Sequence, residues 1–516
     1  MATKVQLSPT ELIAQSGAQV LSDTETLDFY AHDIYSRGAD LLAVVRPSSK
    51  EELAAAVRAA TSQGLTVIPR GGGMSYTSGY TAEKPGCVLF DLAAMNRILD
   101  INEIDMTVTV EAGCTWAQLH EALSPKGLRT PFWGTLSGKK ATVGGGMSQN
   151  GIFWGTCRYG TAVQSCISME VVLADGNVMQ TGSKFARPYG PDLTGLFLAD
   201  TGALAMKATI TLRLIPEAKT HGYASFTFAS HNALLKASSD IERASIATEC
   251  FGFDPKLNAI RMKRDSLASD TKQLVGMMKK QGSVFKALKE GAKVISAGRD
   301  FMEKATYSLH VLAEGRIQSA VDADIEEARQ IVSKHGGAET ENTIPKIIRA
   351  NPFGPLNGVL GPDGERWAPV HGLLPHSRAK DCYEAILALF DKHREKMDEM
   401  GLHEGTLIAA VGGSGIIIEP CIYWPDARNP VIEDTIESSH IAKLPVLDAN
   451  GEAWKFAQQI KQELVSLFYH HGAVHFQIGR TYRHNDSLDD RARILLDGIK
   501  TNVDPQHLMN SGSLGL

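Results

Sequence analysis

Arg70-Gly71-Gly72-Gly73-Met74-Ser75-Tyr76 follows at once on the apolar run Thr66-Val67-Ile68-Pro69, and about seventy residues later stands Thr142-Val143-Gly144-Gly145-Gly146-Met147-Ser148-Gln149-Asn150-Gly151. Three successive glycines are costly in chain entropy, so a plain turn is a wasteful use of them. Their main-chain N–H groups can converge on an anion, and such a concavity suits a diphosphate. Two clusters in series predict a dinucleotide cofactor held along its length, and with it an enzyme rather than a binding module.

The flanks of the first cluster read as strand over 42–45, helix over 51–63 capped from Ser48, and strand over 66–69. Further strands are predicted over 87–92 and 106–110, a helix over 116–123, and a hairpin over 168–180 turning at Asp175-Gly176. A strand over 209–214 stops at Pro216, so residues 1–216 form one α+β unit, divided near 100. Beyond it, a strand over 223–228, helices over 232–248 and 379–400, and strands over 407–411 and 415–420 predict a second domain with an antiparallel sheet, over 217–460. A helix over 453–469 leads into the final segment, 461–516.

The bulk numbers bound the function. The 516 residues, 43% hydrophobic and 21% charged, leave room for two or three domains with a large core. A net charge of −6 argues against nucleic acid as a partner. No apolar run reaches the roughly 18 residues that span a bilayer, and residues 1–9 lack a secretory pattern. Cys87, Cys114, Cys157, Cys166, Cys250, Cys382 and Cys421 show neither paired nor zinc-type spacing, which predicts reduced thiols, a cytoplasmic protein and no metal. Residues 261–304 carry a local balance of +6, with Val275, Met278, Phe285 and Leu288 interleaved among Lys279, Lys280, Lys286 and Lys289. This basic, amphipathic excursion reads either as a solvated helical pair or as a peripheral contact with an anionic membrane.

The order Val45-Arg46-Pro47-Ser48, Pro69-Arg70-Gly71-Gly72-Gly73, Val110-Glu111-Ala112-Gly113, Thr142-Val143-Gly144-Gly145, Arg158-Tyr159-Gly160, Met169 to Gly176, and Asp504-Pro505 through Asn510-Ser511-Gly512 resembles the vanillyl-alcohol oxidase / p-cresol methylhydroxylase superfamily. Within it, the tract 190–216 is most similar to the D-lactate dehydrogenase and glycolate oxidase flavin subunits, with Asp200-Thr201-Gly202 replacing their Ser-Glu-Gly. The resemblance implies an FAD-binding domain of two subdomains, an antiparallel-sheet cap over the isoalloxazine, and a C-terminal segment returning to the FAD domain. It implies FAD contacts from Arg70, Gly71, Gly72, Gly73, Met74, Ser75 and Gly79 in the first loop. Thr142, Val143, Gly144, Gly145, Asn150, Gly151, Gly155, Tyr159 and Gly160 follow, then Gly202, Met206 and Asn510.

Met74 stands where members tethered through this loop carry His, and Cys157 lies in the region of a second, cysteinyl tether; a non-covalent FAD is expected. The Gly-Asp-Gly-Asn-(Leu/Ile)-His segment of metal-assisted members is missing. For catalysis, His470 and His471 resemble a family histidine cluster and have the right pKa range to take a hydroxyl proton. Tyr482-Arg483 is similar to a phenolate-binding pair, and Arg483 or Arg480 is equally suited to fork onto a carboxylate. His371, Tyr423 and Trp424 fall in cap segments that line the family's substrate pocket, with core packing as the competing reading for Trp424.

The expected activity is FAD-dependent removal of hydride from a CH–OH carbon, first of a 2-hydroxy acid, alternatively of a para-substituted phenol such as a lignin-type alcohol. A non-redox addition–elimination on the flavin is a further alternative. The expected partners are a small-molecule substrate, an electron acceptor (oxygen, quinone or cytochrome) and further copies of the chain.

Overall fold

The computed structural model describes residues 7–264 and 306–516. Its first sheet runs Gln19–Leu21, Leu41–Arg46, Cys87–Asp91, Val67–Arg70 in space, the last three strands parallel. The crossover helix Lys50–Thr61 buries Leu53, Ala56, Val57 and Ala60, the stripe that 3.6-residue periodicity places on one face. Its cap is Ser49, which accepts from Glu52 N, while Ser48 bonds the Glu52 carboxylate at 3.0 Å. Parallel connection brings the carboxyl ends of these strands to one edge, where open α/β sheets bind ligands, and Val67–Arg70 delivers the Gly71–Tyr76 loop there.

A second, antiparallel sheet runs Ile98–Asn102, Thr107–Glu111, Met206–Arg213, Cys166–Val172, Val178–Gln180. One apolar cluster joins it to the first sheet, with Val45, Leu53, Val67 and Phe90 packed together with Val110, Met169, Val171 and Ile210.

The third sheet has eight antiparallel strands. Ala338–Thr340, Thr220–Phe228, Tyr307–Gly315, Glu249–Phe253, His403–Val411, Gly415–Trp424 and Arg366–Pro369 follow in order, and Gly372–Leu374 also pairs with Gly415–Trp424. Helices His231–Ala244, Gln318–Lys334, His376–Glu399 and Gly451–His470 belong to this part of the chain. The helix expected over 232–248 stops at Ala244 because Ser245 turns left-handed (φ 55°), which frees Glu249–Phe253 to join the sheet. Pro420 does not end its strand; its carbonyl accepts from Val370 N at 2.9 Å and the strand continues to Trp424.

Both faces of Gly415–Trp424 are covered, and period-2 alternation sorts its side chains. Ile416, Ile418, Ile422 and Trp424 pack into the large cluster with the helices. Glu419, Cys421 and Tyr423 face the glycine loops across a cavity.

The C-terminal segment closes onto the first sheet. Asn510 N donates to Val67 O at 2.8 Å, and the buried Lys500 ammonium bonds Ala203 O (2.7 Å), Asp504 (2.6 Å) and Met509 O (3.0 Å). Residues 265–304 of the expected basic excursion lie outside the described residues. Among the described residues no helix is long and apolar enough to cross a membrane.

Candidate active site

A cavity of about 1000 Å³ separates the two glycine loops from the large sheet. Gly71, Gly72, Gly73, Met74, Ser75 and Gly79 line it on one side. None of the backbone N–H groups from Gly71 to Tyr76 bonds to another described residue. Buried main-chain donors are almost always satisfied, so a row of open ones beside a cavity fits the diphosphate of a nucleotide. Glycine is needed here for contact as well as conformation. A Cβ on Gly72 would overlap the Lys140 carbonyl oxygen, and Gly73 has φ +67°.

The second cluster is built differently from the first. Residues Val143–Gln149 are helical, Thr142 caps them by accepting from Gly145 N at 3.1 Å, and the N–H groups of Val143 and Gly144 donate to Cys114 O (2.7 Å) and Ala112 O (2.9 Å). Thr142, Gly144, Gly145 and Gly151 line the cavity as a smooth wall that a cofactor can approach closely, while Val143 turns into the core.

Across the cavity lies a carboxylate that sequence reading did not single out. Glu419 Oε1 accepts from the Tyr76 hydroxyl at 3.2 Å, and Gln477 Nε2 donates to the same hydroxyl at 3.1 Å. All three residues line the cavity. Burial raises the Glu419 carboxyl to about 7, against the opposing pull of the Tyr76 hydrogen bond. A proton acceptor tuned to neutrality beside an anion cradle is the arrangement that acid–base chemistry at a cofactor requires.

His371 stands behind Glu419, its Nδ1 4.0 Å from Oε1, and is fully buried. Its Nε2 lies 2.6 Å from Phe476 O and must donate, so Nδ1 is left to accept from the Tyr482 hydroxyl at 3.2 Å. Burial pushes its pKa well below the usual range, and its ring stacks on Phe476 at 3.7 Å. His371 is therefore a neutral, fully committed support for the wall. Tyr482 is also support: it accepts from His371 N at 2.9 Å and stacks on His475 at 3.9 Å. Tyr423 does line the cavity, its ring stacked on His403 at 4.9 Å. Trp424 packs in the core, with Nε1 donating to Asp426 at 3.2 Å.

Other expected site residues fall away from the cavity. His470 and His471 end helix Gly451–His470 at the surface, where His470 Nδ1 bonds Ser466 O at 2.6 Å. The pair resembled a catalytic cluster because its local sequence did; the helix simply stops there, and neither ring reaches the cavity. Arg483 is exposed, paired with Asp486 at 2.7 Å and laid over the Tyr469 ring. Arg480 spends its guanidinium on Ser78 O, Thr81 O, Ser511 O and Asn510 Oδ1, clamping the C-terminal segment.

Several expected cofactor residues shape the walls from behind. Arg70 lies over the Tyr30 ring at 4.7 Å and against Gly73. Asn150 ends the Val143–Gln149 helix with φ 54°. Gly155 N donates to Glu249 at 2.8 Å, Tyr159 sits under the Arg129 guanidinium, and Gly160 (φ +78°) fits against Gln164. Gly202 fits against the Pro69 ring. Met206 points into the core while its neighbours Ala205 and Lys207 line the cavity. Asn510 Nδ2 donates to Gly79 O (2.8 Å) and Thr201 O (2.6 Å), fixing the far end of the first loop. Cys157 does line the cavity, with its thiol hydrogen-bonded to Cys250 and its pKa pushed well up by that contact and by burial. Among the described residues no group of three His, Cys, Asp or Glu side chains is placed to hold a metal ion.

A parallel-edge anion cradle, a second antiparallel unit and a large antiparallel sheet together enclose a cavity of nucleotide size. Residues 41–182 match the family model described as FAD binding domain, and FAD is the cofactor that the open donors of the first loop accommodate. The chain carries an FAD-binding domain within residues 41–182, and FAD is its cofactor.

It is similar to the glycolate oxidase subunit GlcD of Bacillus subtilis (strain 168), at 31% identity over 205 residues, 40% of this chain and 43% of that one. It is also similar to the mitochondrial D-lactate dehydrogenase (cytochrome) of Arabidopsis thaliana, at 33% identity over 215 residues, 40% of this chain and 37% of that one. The matched stretch thus spans about two fifths of these relatives. Over nearly its whole length the fold is that of p-cresol methylhydroxylase with substrate bound (TM-score 0.72, 18% identity, 98% of this chain and 95% of that one). The 4-ethylphenol oxidase from Gulosibacter chungangensis in its isoeugenol complex shares it too (TM-score 0.67, 16% identity, 99% and 98%).

Proposed function

We propose that this protein is an FAD-linked oxidoreductase that oxidises the CH–OH carbon of a 2-hydroxy acid to the 2-oxo acid. The observation that carries this reading is Glu419, a half-buried carboxylate raised to about 7 and held by Tyr76 in the wall of the cavity that the FAD cradle lines. Bound FAD supplies a two-electron hydride acceptor. As hydride leaves the substrate carbon, the hydroxyl proton passes to Glu419, which is ionised above about pH 7. Tyr76 donates to the carboxylate, Gln477 steadies the Tyr76 hydroxyl, and His371 Nδ1 lies 4.0 Å from Glu419 Oε1. Arg261 lines the cavity from helix Pro255–Arg264 and supplies a planar fork for the substrate carboxylate. The names of the sequence relatives, glycolate oxidase and D-lactate dehydrogenase, support the acid class.

The FAD is held without a covalent bond. Met74 is the one sulfur-bearing side chain of the first loop, and a thioether has no proton to lose, so bonding to the flavin would leave a charged sulfonium rather than a stable neutral tether. The Cys157 thiol is kept protonated beside Cys250, and only a thiolate would react.

Anaerobic titration of the holoprotein tests the reaction. 2-Hydroxy acids bleach the visible flavin band if the reading is right. Bleaching by 4-alkylphenols in their place would move the assignment to phenol oxidation, and bleaching by neither, with dithionite effective, would leave the non-redox alternative.

A further inference from the structure

The cap side of the cavity is apolar far beyond what glycolate or lactate would need. Helix Thr343–Ala350 directs Ile344, Ile347 and Ile348 into it, positions i, i+3 and i+4 of one face. Helix Pro255–Arg264 adds Leu257 and Met262, on either side of Arg261, and strand Glu249–Phe253 adds Phe251. An amphipathic helix ordinarily turns such a face onto packed core. Ile344, Ile347 and Met262 belong to none of the packed apolar clusters of the described residues, and what they face is the cavity. Apolar surface left toward water is unfavourable, and a concave apolar wall beside a few placed polar groups is the form of a site for an apolar ligand.

We propose that the substrate carries a bulky apolar group, of medium-chain alkyl or phenyl size, on the carbon next to its CH–OH, housed between helices Pro255–Arg264 and Thr343–Ala350. This rests on the 2-hydroxy acid reading above and names the class within it. Glu419 and Arg261 fix the hydroxyl and carboxylate ends, and the side group extends over Ile344 and Ile347.

The test is a ladder of racemic 2-hydroxy acids, from lactate through 2-hydroxybutanoate and 2-hydroxyhexanoate to 2-hydroxyoctanoate, with 3-phenyllactate alongside. Flavin reduction in the holoprotein is followed anaerobically. Each added methylene buried in the chamber is expected to raise kcat/KM about fourfold, from a transfer free energy of about 0.8 kcal/mol. The gain should fall on KM, because a remote side group is bound alike before and during hydride transfer. Ile347→Trp should cut the ratio of kcat/KM for 2-hydroxyoctanoate over lactate at least tenfold, and Ile344→Trp provides a second, independent filling of the chamber. Calorimetry with octanoate and propanoate, neither of which can be oxidised, should show octanoate binding the tighter. A flat or falling ladder with lactate active, or equal binding of octanoate and propanoate, would overturn the inference alone. Failure of every 2-hydroxy acid to reduce the flavin would overturn the reading of the reaction and this inference with it.

Discussion

Glu419→Gln keeps the shape of the side chain and removes its ability to take a proton. In the native protein the carboxyl holds its proton up to about pH 7, whereas in the unfolded chain it releases it near the ordinary value of 4.5. The native state therefore binds more protons between these limits, and stability falls as pH rises through that window. The gap from 4.5 to about 7 corresponds to about 3 kcal/mol of native-state stability lost by pH 8. The amide cannot ionise and escapes that loss. The variant should melt at a higher temperature than the parent at pH 8 to 9 and together with it at pH 4.5. Its kcat with a 2-hydroxy acid should fall by about 10² to 10⁴, the usual worth of a positioned base, and the acidic limb of its pH–rate profile, centred near 7 in the parent, should vanish. Unchanged kcat, or a limb that survives in Glu419→Gln, would refute the assignment of the proton to this residue. Melting at the same temperature as the parent at every pH would refute its raised affinity for a proton in the native state.

Tyr76→Phe removes the hydrogen bond that favours the ionised carboxylate, so the acidic limb should move up by about one pH unit, which a pH–rate profile would resolve. Asn510→Ala unties two buried carbonyls at the end of the cofactor loop; a loss of about 2 kcal/mol in stability and weaker retention of FAD on gel filtration are expected. His470→Ala should leave flavin reduction rates unchanged, since the ring ends a helix at the surface; a large loss of kcat would restore it to the site. Acid precipitation should release all the yellow colour into the supernatant, and colour retained in the pellet would mean that Cys157 or another residue is bonded to the flavin.

The FAD-binding fold was legible because its signals are local. The Gly71–Gly73 run, the capped helix behind it and the strand before it each follow from near neighbours in sequence. The second glycine cluster looked like another open loop, but Thr142 and the carbonyls of Cys114 and Ala112 make it the first turn of a helix. The cavity wall that carries Glu419 was less legible because it is assembled by strand register. Glu419 lies in Gly415–Trp424, opposite Leu407, and alternation alone turns it to the cavity. A lone acid within Ile416-Ile417-Ile418-Glu419-Pro420-Cys421-Ile422 was the available signal, and it was passed over for the aromatic residues beside it. Tyr76 stood inside the opening motif, but the anion-cradle reading of that loop concerns its main-chain N–H groups and says nothing of the Tyr76 hydroxyl. Gln477 lies in an irregular stretch with no periodicity to mark it. His470 and His471 were overvalued for the converse reason: a local resemblance carries no information about which way a helix end faces.

The most direct test of the account is a crystal structure of the oxidised holoprotein with a 2-oxo acid product bound. The account predicts diphosphate oxygens accepting from main-chain N–H groups between Gly71 and Tyr76, and the product's keto oxygen within hydrogen-bond distance of Glu419. A diphosphate seated elsewhere, or a product held on the far side of the flavin from Glu419, would contradict it.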